Sequence, residues 1–438
     1  MTQKEALDIM KMGYNVYLTG EAGTGKTYVL NEYIKYLKNK KIAIGVTATT
    51  GIAATHLDGV TIDSWSGLGI REYIRDDEMR ELARKYHTKK RITEAKVLII
   101  DEISMMHGYR FDEIEKIVRF MKASYASFGG LQVILSGDLF QLPPVSRDRE
   151  NIDFVFKSKA WKSLDLLICY LASPKRHSER RFLQLLNDIR HNKIDETTYE
   201  ILKEANENKF PDGFRPTRLY THNVDVDMIN KAELEKISSE PRFYYMSSVG
   251  PEKLVEGMQR NCLAPAVLEL RIGALVMFVR NNYEAGYVNG TLGRVVGFDK
   301  DQDPIVKTLN NKKIEVKRAS WTISEGEKTI AELTQIPLRL AWAITVHKSQ
   351  GMTLDAAEID LSKSFVEGMG YVALSRVKSL EGLKLLGINQ MALRVNPEIS
   401  EIDKELRETS EEISQNWKKM GFLKKIMKQR DFMYKLTS

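Results

Sequence analysis

Three stretches of the chain carry residue types whose spacing suits the binding and hydrolysis of a nucleoside triphosphate. The first is GEAGTGKT, Gly20 to Thr27, which matches G-x-x-x-x-G-K-Ser/Thr at every fixed position. Its glycines let the backbone N–H groups of Glu21, Ala22, Gly23, Thr24 and Gly25 point inward around a phosphate at a helix N-terminus. Lys26 then reaches the β- and γ-phosphates, and the Thr27 hydroxyl can ligate Mg²⁺. The second is VLIIDEIS, Val97 to Ser104, with two acids directly after an apolar run. Asp101 is suited to hold the metal through water and Glu102 to polarise the attacking water. The third is SGDLFQLPPV, Ser136 to Val145, where Pro143 and Pro144 stiffen a loop carrying Gln141. An uncharged amide there can sense the γ-phosphate without the cost of burying a charge.

These groups act together only if strands hold them at one edge of a sheet. Apolar, β-branched runs at Val16 to Thr19, Ile42 to Thr47, Val97 to Ile100 and Leu131 to Leu135 are continuous rather than alternating. That pattern predicts strands buried on both faces, hence a parallel α/β sheet. A second series at Leu166 to Tyr170, Arg218 to Thr221, Ile344 to Val346, Glu358 to Leu361 and Leu383 to Gly387 predicts a second α/β unit. Between them lie short strand-like runs at Leu275 to Val279, Thr291 to Phe298, Pro304 to Leu309 and Lys313 to Val316, punctuated by Asn289-Gly290 and Asn310-Asn311. Asn-Gly between apolar runs signals a hairpin, so this segment reads as a small antiparallel barrel inserted in the second unit. The expected division is a first unit at 1–165, a second at 166–273 and 336–395, the barrel at 274–335, and a charged, helix-prone tail at 396–438.

With 438 residues, at roughly 150 per domain, about three domains are expected. A composition of 43% hydrophobic and 29% charged residues excludes collagenous and disordered classes. No apolar stretch approaches the ~18 residues that span a bilayer, and residues 1–12 lack a secretory leader's apolar run, so no membrane partner is expected and, for a bacterial chain, a cytoplasmic, nucleoid-associated location. Cys169 and Cys262 are too few for a disulfide framework or zinc site and read as core thiols. Lys plus Arg total 66 against 59 Asp plus Glu, a net +7 that leans toward polyanionic partners. Residues 84–96 hold six of those bases and one Glu.

Six ordered blocks resemble the Pif (petite integration frequency) family of superfamily-one DNA helicases, relatives of the RecD-like enzymes that move 5′ to 3′ on single-stranded DNA. They are GEAGTGKT, TATTGIAA (Thr47 to Ala54) with TIDSW (Thr61 to Trp65), DEISM (Asp101 to Met105), FGGLQVILSGDLFQLPPV (Phe128 to Val145), LAWAITVHKSQGMTLD (Leu340 to Asp355) and YVALSRVKSLEGL (Tyr371 to Leu383). The resemblance covers most of residues 3–390, and Ser104 to Gly130 looks like the family's own signature. It implies two RecA-like P-loop domains, a small wedge insertion at about 61–93 in the first, an SH3-like β-barrel insertion in the second, and ATP with Mg²⁺ as cofactors. It further implies that Gln3 reads the adenine edge and that Thr50, Gly51 and Thr61 touch DNA phosphates. Trp65 would stack on a base, and His347, Ser349 and Gly351 would pair DNA contact with γ-phosphate sensing. Arg176 and Arg376 would stabilise transition-state charge from the second unit.

The chain departs from the family pattern at Lys175-Arg176-His177, where Phe-Arg-Gln is usual, and at Asp63, where histidine is usual. An acid beside a DNA phosphate would repel it, so Asp63 is expected to turn away. The basic cluster Arg84 to Lys96 gains duplex phosphates as its target. In the barrel, Phe278, Arg280, Tyr283, Tyr287, Lys317, Arg318 and Trp321 are expected to embrace the strand.

The expected activity is therefore ATP-dependent 5′-to-3′ DNA unwinding by a monomer. Its partners would be single-stranded DNA and single/double-strand junctions, with G-quadruplex or RNA·DNA hybrid as further structured substrates. Two rivals share parts of the pattern. A nucleoside or small-molecule kinase has the phosphate loop but leaves the second unit, Thr50, His347 and Arg376 unexplained. An ATP-switched binding module would use the barrel as an adaptor for Pro-rich peptides and would hydrolyse ATP slowly with or without DNA. Stimulation of ATPase by single-stranded DNA separates these readings.

Overall fold

The continuous apolar runs of the first part of the chain fold as strands shielded on both faces. In the computed structural model, β1 (Val16–Gly20), β2 (Ile44–Ala48), β3 (Val60–Thr61), β4 (Val97–Asp101), β5 (Gln132–Ser136) and β6 (Leu167–Leu171) form one sheet in the order β3-β2-β4-β5-β1-β6. Every pairing in it is parallel. The structure describes residues 1–437 except 70, 145–151, 172–179, 211–215, 223, 283, 288, 309–310 and 326–327. All residues of β1, β4 and β5 are buried. Helices α1 (Gln3–Lys11) and α2 (Lys26–Asn39) pack Ile9, Met10, Leu30, Tyr33 and Leu37 against Val16, Leu18, Val97, Ile99 and Ile134 in one apolar cluster.

The link from β2 to β4 is helical: α3 (Gly51–His56), α4 (Ile62–Ser66), α5 (Asp76–Arg84) and α6 (Tyr86–Glu94), with the segment expected to be a wedge spanning the last three. Arg91 braces it, donating from Nε to the Trp65 carbonyl at 2.8 Å and from Nη2 to the Ser64 carbonyl at 2.5 Å. Asp63 does turn to a protein partner, Arg110 of α7 (Gly108–Met121), at 2.5 Å. A short helix, α8 (Lys159–Ser163), leads into β6.

Strand β6 corrects the expected domain boundary at 165/166. It pairs with β1 along its whole length, from Val16↔Leu167 to Gly20↔Leu171, and so belongs to the first sheet. Hydrophobicity marks a buried strand but does not say which of two parallel sheets it joins.

The two compact units are Met1–Arg176 with Pro397–Ser438, and His177–Asn396. In the second, α9 (Arg180–Arg190) and α10 (Glu196–Glu207) precede β7 (Thr217–Tyr220), and α11 (Val224–Glu235) follows it. The chain then runs through β8 (Arg242–Tyr245), β9 (Ser247–Val249), α12 (Glu252–Asn261), β10 (Val267–Leu270), β11 (Leu275–Phe278), β12 (Leu292–Phe298), β13 (Pro304–Thr308), β14 (Lys313–Glu315), β15 (Ala319–Glu325), β16 (Lys328–Gln335) and β17 (Leu338–Leu340). It returns as β18 (Ala343–Thr345), β19 (Ala357–Leu361), α13 (Met369–Leu374) and β20 (Leu383–Ile388). A parallel sheet, β18-β7-β19-β20, carries this unit. The intervening strands are antiparallel, as a five-stranded sheet β14-β13-β12-β11-β17, a three-stranded sheet β15-β16-β9 and the pair β10-β8.

The insertion thus begins before 274, because Ser247–Val249 pairs with β16. Its Ser-Ser-Val sequence is exposed at every position and has no apolar run to reveal it. The rings expected to embrace DNA are instead packed inside: Phe278 stacks on Tyr287 at 4.1 Å, both buried, and Trp321 joins Val279 and Leu333 in a core. Tyr283 lies outside the described residues. Lys317 is tied to Asp299 and Asp303 at 2.7 and 3.0 Å, which holds its ammonium well above the usual lysine range.

The tail folds as α14 (Pro397–Lys419) and α15 (Phe422–Thr437) and returns to the first unit. Tyr170 in β6 donates its backbone N–H to Ser410 Oγ and its hydroxyl to Asp403 Oδ1, both at 2.9 Å. Trp417, Phe432, Met433 and Leu436 extend the apolar cluster under α1. Among the described residues no helix is long and apolar enough to cross a membrane. Gly13 sits at φ 88°, and a Cβ there would enter the Phe432 ring. Gly13→Ala should therefore cost about 1–3 kcal/mol through backbone strain and overpacking. A thermal midpoint equal to the parent's would show that α15 does not share this unit's core.

Candidate functional site

The phosphate loop leaves β1 at Gly20, whose φ of 142° and close neighbours exclude a side chain, since a Cβ would lie 2.7 Å from the Leu171 carbonyl oxygen. At the other end Gly25, at φ 90°, precedes α2, whose first turn has no side-chain cap. Its N–H groups therefore face outward for an anion. Lys26 Nζ donates to the carbonyls of Gly20 and Glu21 at 2.8 and 3.1 Å, and Thr24 Oγ1 donates to Glu21 O at 2.9 Å. Ala22 and Thr24 are buried, Gly23 is half-buried and Thr27 is exposed at the start of α2. Gln3 of α1 donates from Nε2 to the Thr24 carbonyl at 2.8 Å, joining the leading helix to the loop.

Strand β4 delivers the acids. Asp101 is 5% exposed, and burial pushes its carboxyl above the usual carboxylate range. The Ser136 hydroxyl, the Glu102 N–H at 2.9 Å and the Lys26 charge act in the opposite sense. Lys26 and Asp101 are thus brought within electrostatic reach of each other. Glu102 adopts a left-handed backbone at φ 53°, unusual for a non-glycine residue, which redirects the chain at the strand end. Thr49 holds that turn, donating its hydroxyl to Glu102 O at 2.7 Å and its N–H to Asp101 O at 3.1 Å. Nothing in the sequence distinguished Thr49 from its neighbours; only the pairing of β2 with β4 gives it this role. Gln141, beyond β5, is 6% exposed, and its Oε1 finds no hydrogen-bond partner among the described residues.

The residues expected to touch DNA fare unevenly. The Thr50 hydroxyl accepts from Ala53 N at 3.2 Å and that of Thr61 from Ser64 N at 3.3 Å, so each caps a helix and still has an O–H to donate. Gly51 opens α3 and is buried. Trp65 cannot serve as a stacking platform as placed: it is 4% exposed, and its indole fills the space beside Gly45, where a Cβ would meet it at 2.8 Å. Its aromatic type was equally suited to core packing, and burial decides between the two.

In the second unit His347 is half-buried, and burial with the neighbouring His222 lowers its pKa. Ser349 is fully buried and spends its hydroxyl on Val346 O at 2.7 Å, which corrects its reading as a direct contact. Gly351 is exposed at φ 76°. Gln350 beside it, unremarked in the sequence, is 8% exposed with an Nε2 lacking a partner among the described residues. Arg376 is buried, donating from Nε to Val372 O at 2.9 Å and from Nη2 to Ser375 Oγ at 2.8 Å. Arg176 lies outside the described residues.

The chain is similar to known proteins along most of its length. A model of the PIF1-like helicase family matches residues 2–200, and one of the Pif1 DNA helicase 2B domain matches 253–298, within the antiparallel insertion. The ATP-dependent DNA helicase Pif1 of Psychrobacter sp. is 41% identical over 95% of this chain and 72% of its own length. Of the zebrafish and Xenopus laevis relatives the chain spans 63% and 65%. Bacteroides sp. Pif1 in complex with ADP-AlF4 superposes with a TM-score of 0.80 at 32% identity, covering 93% of this chain and 96% of that one. A Bacteroides Pif1 structure bound to single-stranded DNA gives 0.63 at 32% identity over 93% and 96%. Matched by relatives along nearly its whole length, the chain belongs to the PIF1-like family of ATP-dependent DNA helicases.

Proposed function

We propose that this chain couples ATP hydrolysis to 5′-to-3′ movement along single-stranded DNA and opens duplexes at single/double-strand junctions. The observation that carries the reading is the convergence of Lys26, Asp101 and Glu102 at the carboxyl ends of β1 and β4, where an open parallel sheet binds its ligand. In this reading the loop N–H groups from Glu21 to Thr27 cradle the β-phosphate and Lys26 bridges to the γ-phosphate. Glu102 orients and deprotonates the attacking water, Gln141 senses the γ-phosphate and Gln3 holds the adenine edge. Thr27 and Asp101, a hydroxyl and a carboxylate, are hard oxygen donors of the kind that would hold Mg²⁺, Asp101 through water. When bound, Mg²⁺ neutralises phosphate charge. Arg376, and Arg176 by its place in the sequence, would add transition-state charge stabilisation.

Thr50, Gly51, Thr61 and His347 would meet DNA phosphates. Arg84, Lys85 and Lys89, exposed on α5 and α6 around the 67%-exposed Tyr86, offer duplex phosphates a basic surface with a ring for stacking. We read the antiparallel insertion as an SH3-like barrel that supports the second unit, because its aromatics form its own core. A monomer acting on DNA, in the cytoplasm at the nucleoid of a bacterial cell, fits the basic net charge. G-quadruplexes and RNA·DNA hybrids remain substrates to test on the same preparation.

Single-stranded DNA should raise the ATPase rate many-fold, and unwinding should proceed from 5′-tailed but not 3′-tailed duplexes; efficient unwinding from 3′ tails alone would overturn the polarity. Glu102→Gln should keep ATP binding and nearly abolish turnover, because the amide preserves shape but cannot take the proton. Hydrolysis at the parent rate with DNA present would remove Glu102 from that role. For Arg376→Ala, confirmed folded by melting, DNA-stimulated ATPase should fall about a thousandfold with little loss of single-strand affinity in the absence of nucleotide. A loss confined to affinity would assign Arg376 to the DNA track.

A further inference from the structure

The tail carries none of the chemistry considered so far, yet it stands against the nucleotide loop. A cleft of about 660 Å³ is lined by Gln3 at the start of α1, by Thr24 of the loop, and by Glu411, Ser414, Gln415 and Lys418 of α14. The bond from Gln3 to the Thr24 carbonyl places this cleft directly off the phosphate loop. The helix is held there by a chain of contacts. Asp403 accepts the Tyr170 hydroxyl at 2.9 Å and Arg407 Nε at 2.8 Å, and the Arg407 guanidinium lies 4.4 Å over the Tyr170 ring. The same guanidinium reaches Glu21 of the phosphate loop, Nη2 to Oε1 at 3.6 Å. Glu21 in turn supplies the carbonyl that receives Lys26 and the Thr24 hydroxyl.

We propose that α14 is a component of the nucleotide site: Arg407 positions the phosphate loop through Glu21, while Glu411 and Gln415 form the outer wall of the pocket for the purine base. The placement of the base rests on the reading of Gln3 given above. Adenine presents an amino donor at the edge where guanine presents a carbonyl acceptor. A carboxylate on the wall accepts from the first and repels the second, so Glu411 favours adenine nucleotides, and the Gln415 amide adds a second adjustable partner. Both side chains are exposed, so changing them leaves the packing of α14 on β6 intact. Arg407 is a positioning residue that acts through the loop backbone, and its influence extends to any nucleoside triphosphate.

The test is steady-state hydrolysis of ATP and GTP with saturating single-stranded DNA, with melting temperatures measured in parallel. The double variant Glu411→Lys/Gln415→Ala should keep the parent melting temperature and kcat, raise the KM for ATP, and lower the ATP-over-GTP preference about tenfold, the scale of one lost polar contact. Arg407→Ala should raise the KM for ATP and GTP alike, and Arg407→Lys should restore part of the loss. Gln3→Ala serves as the reference for the base pocket. If Gln3→Ala raises the KM for ATP while the double variant changes neither KM nor preference, α14 is no wall and the proposal falls alone. If Gln3→Ala also leaves KM unchanged, the base lies elsewhere and both readings fall. Equal KM values for Arg407→Ala and the parent would reject the positioning role.

Discussion

A carboxylate removed from water must be compensated or it will take up a proton, and at Asp101 that demand organises the nucleotide site. Burial raises its pKa, while Ser136, the Glu102 N–H and Lys26 each favour the charged form. Those compensating groups come from β5, the residue after β4, and the loop after β1. They meet only because the three strands run in the same direction and end at the same level. The all-parallel order β4-β5-β1 is therefore an electrostatic requirement as well as a packing solution. A phosphate and a hard cation entering this edge would meet an ammonium and a carboxylate whose charges already act on each other.

The same edge shows how local strain and tertiary packing cooperate. Glu102 holds a left-handed backbone that a glutamate adopts only at a cost, and Thr49 of the neighbouring strand end fixes it with two hydrogen bonds. Gly20 and Gly25 avoid that cost by lacking a Cβ, which leaves room for Leu171 and Gln3 respectively. The loop is thus shaped from three sides, by β6, by α1 and by the tail through Arg407 and Glu21. Stability of the first unit and geometry of its phosphate loop become one property, since the tail helices also complete the apolar cluster beneath α1.

In the second unit the division of labour is different. Its parallel sheet positions His347, Gln350 and Arg376 near strand and helix ends, whereas the antiparallel insertion packs its own aromatics inside and ties Lys317 to its own aspartates. A ring or a lysine in a β-rich segment tells nothing about its partner until the pairing is known. Phe278, Tyr287 and Trp321 read from the sequence as a surface for DNA and are a core; Lys317 read as a DNA contact and is tied to two aspartates. For Trp65 and Ser349 the same ambiguity resolved inward.

What the sequence determined by itself was the chemistry that depends on short-range order. The spacing from Gly20 to Thr27, the acids at the end of an apolar run and the continuous hydrophobicity of β1, β2, β4 and β5 are local patterns, and each requires only a few consecutive residues to be legible. What only the tertiary structure decided was membership and direction. It assigned β6 to the first sheet, brought β9 into the insertion, turned Trp65 inward, gave Thr49 its hold on Glu102, and carried Arg407 back to Glu21 across most of the chain. These outcomes follow from burial and pairing between segments far apart in sequence, where many partners have the same hydrophobicity. Shape complementarity in the folded core selects among them.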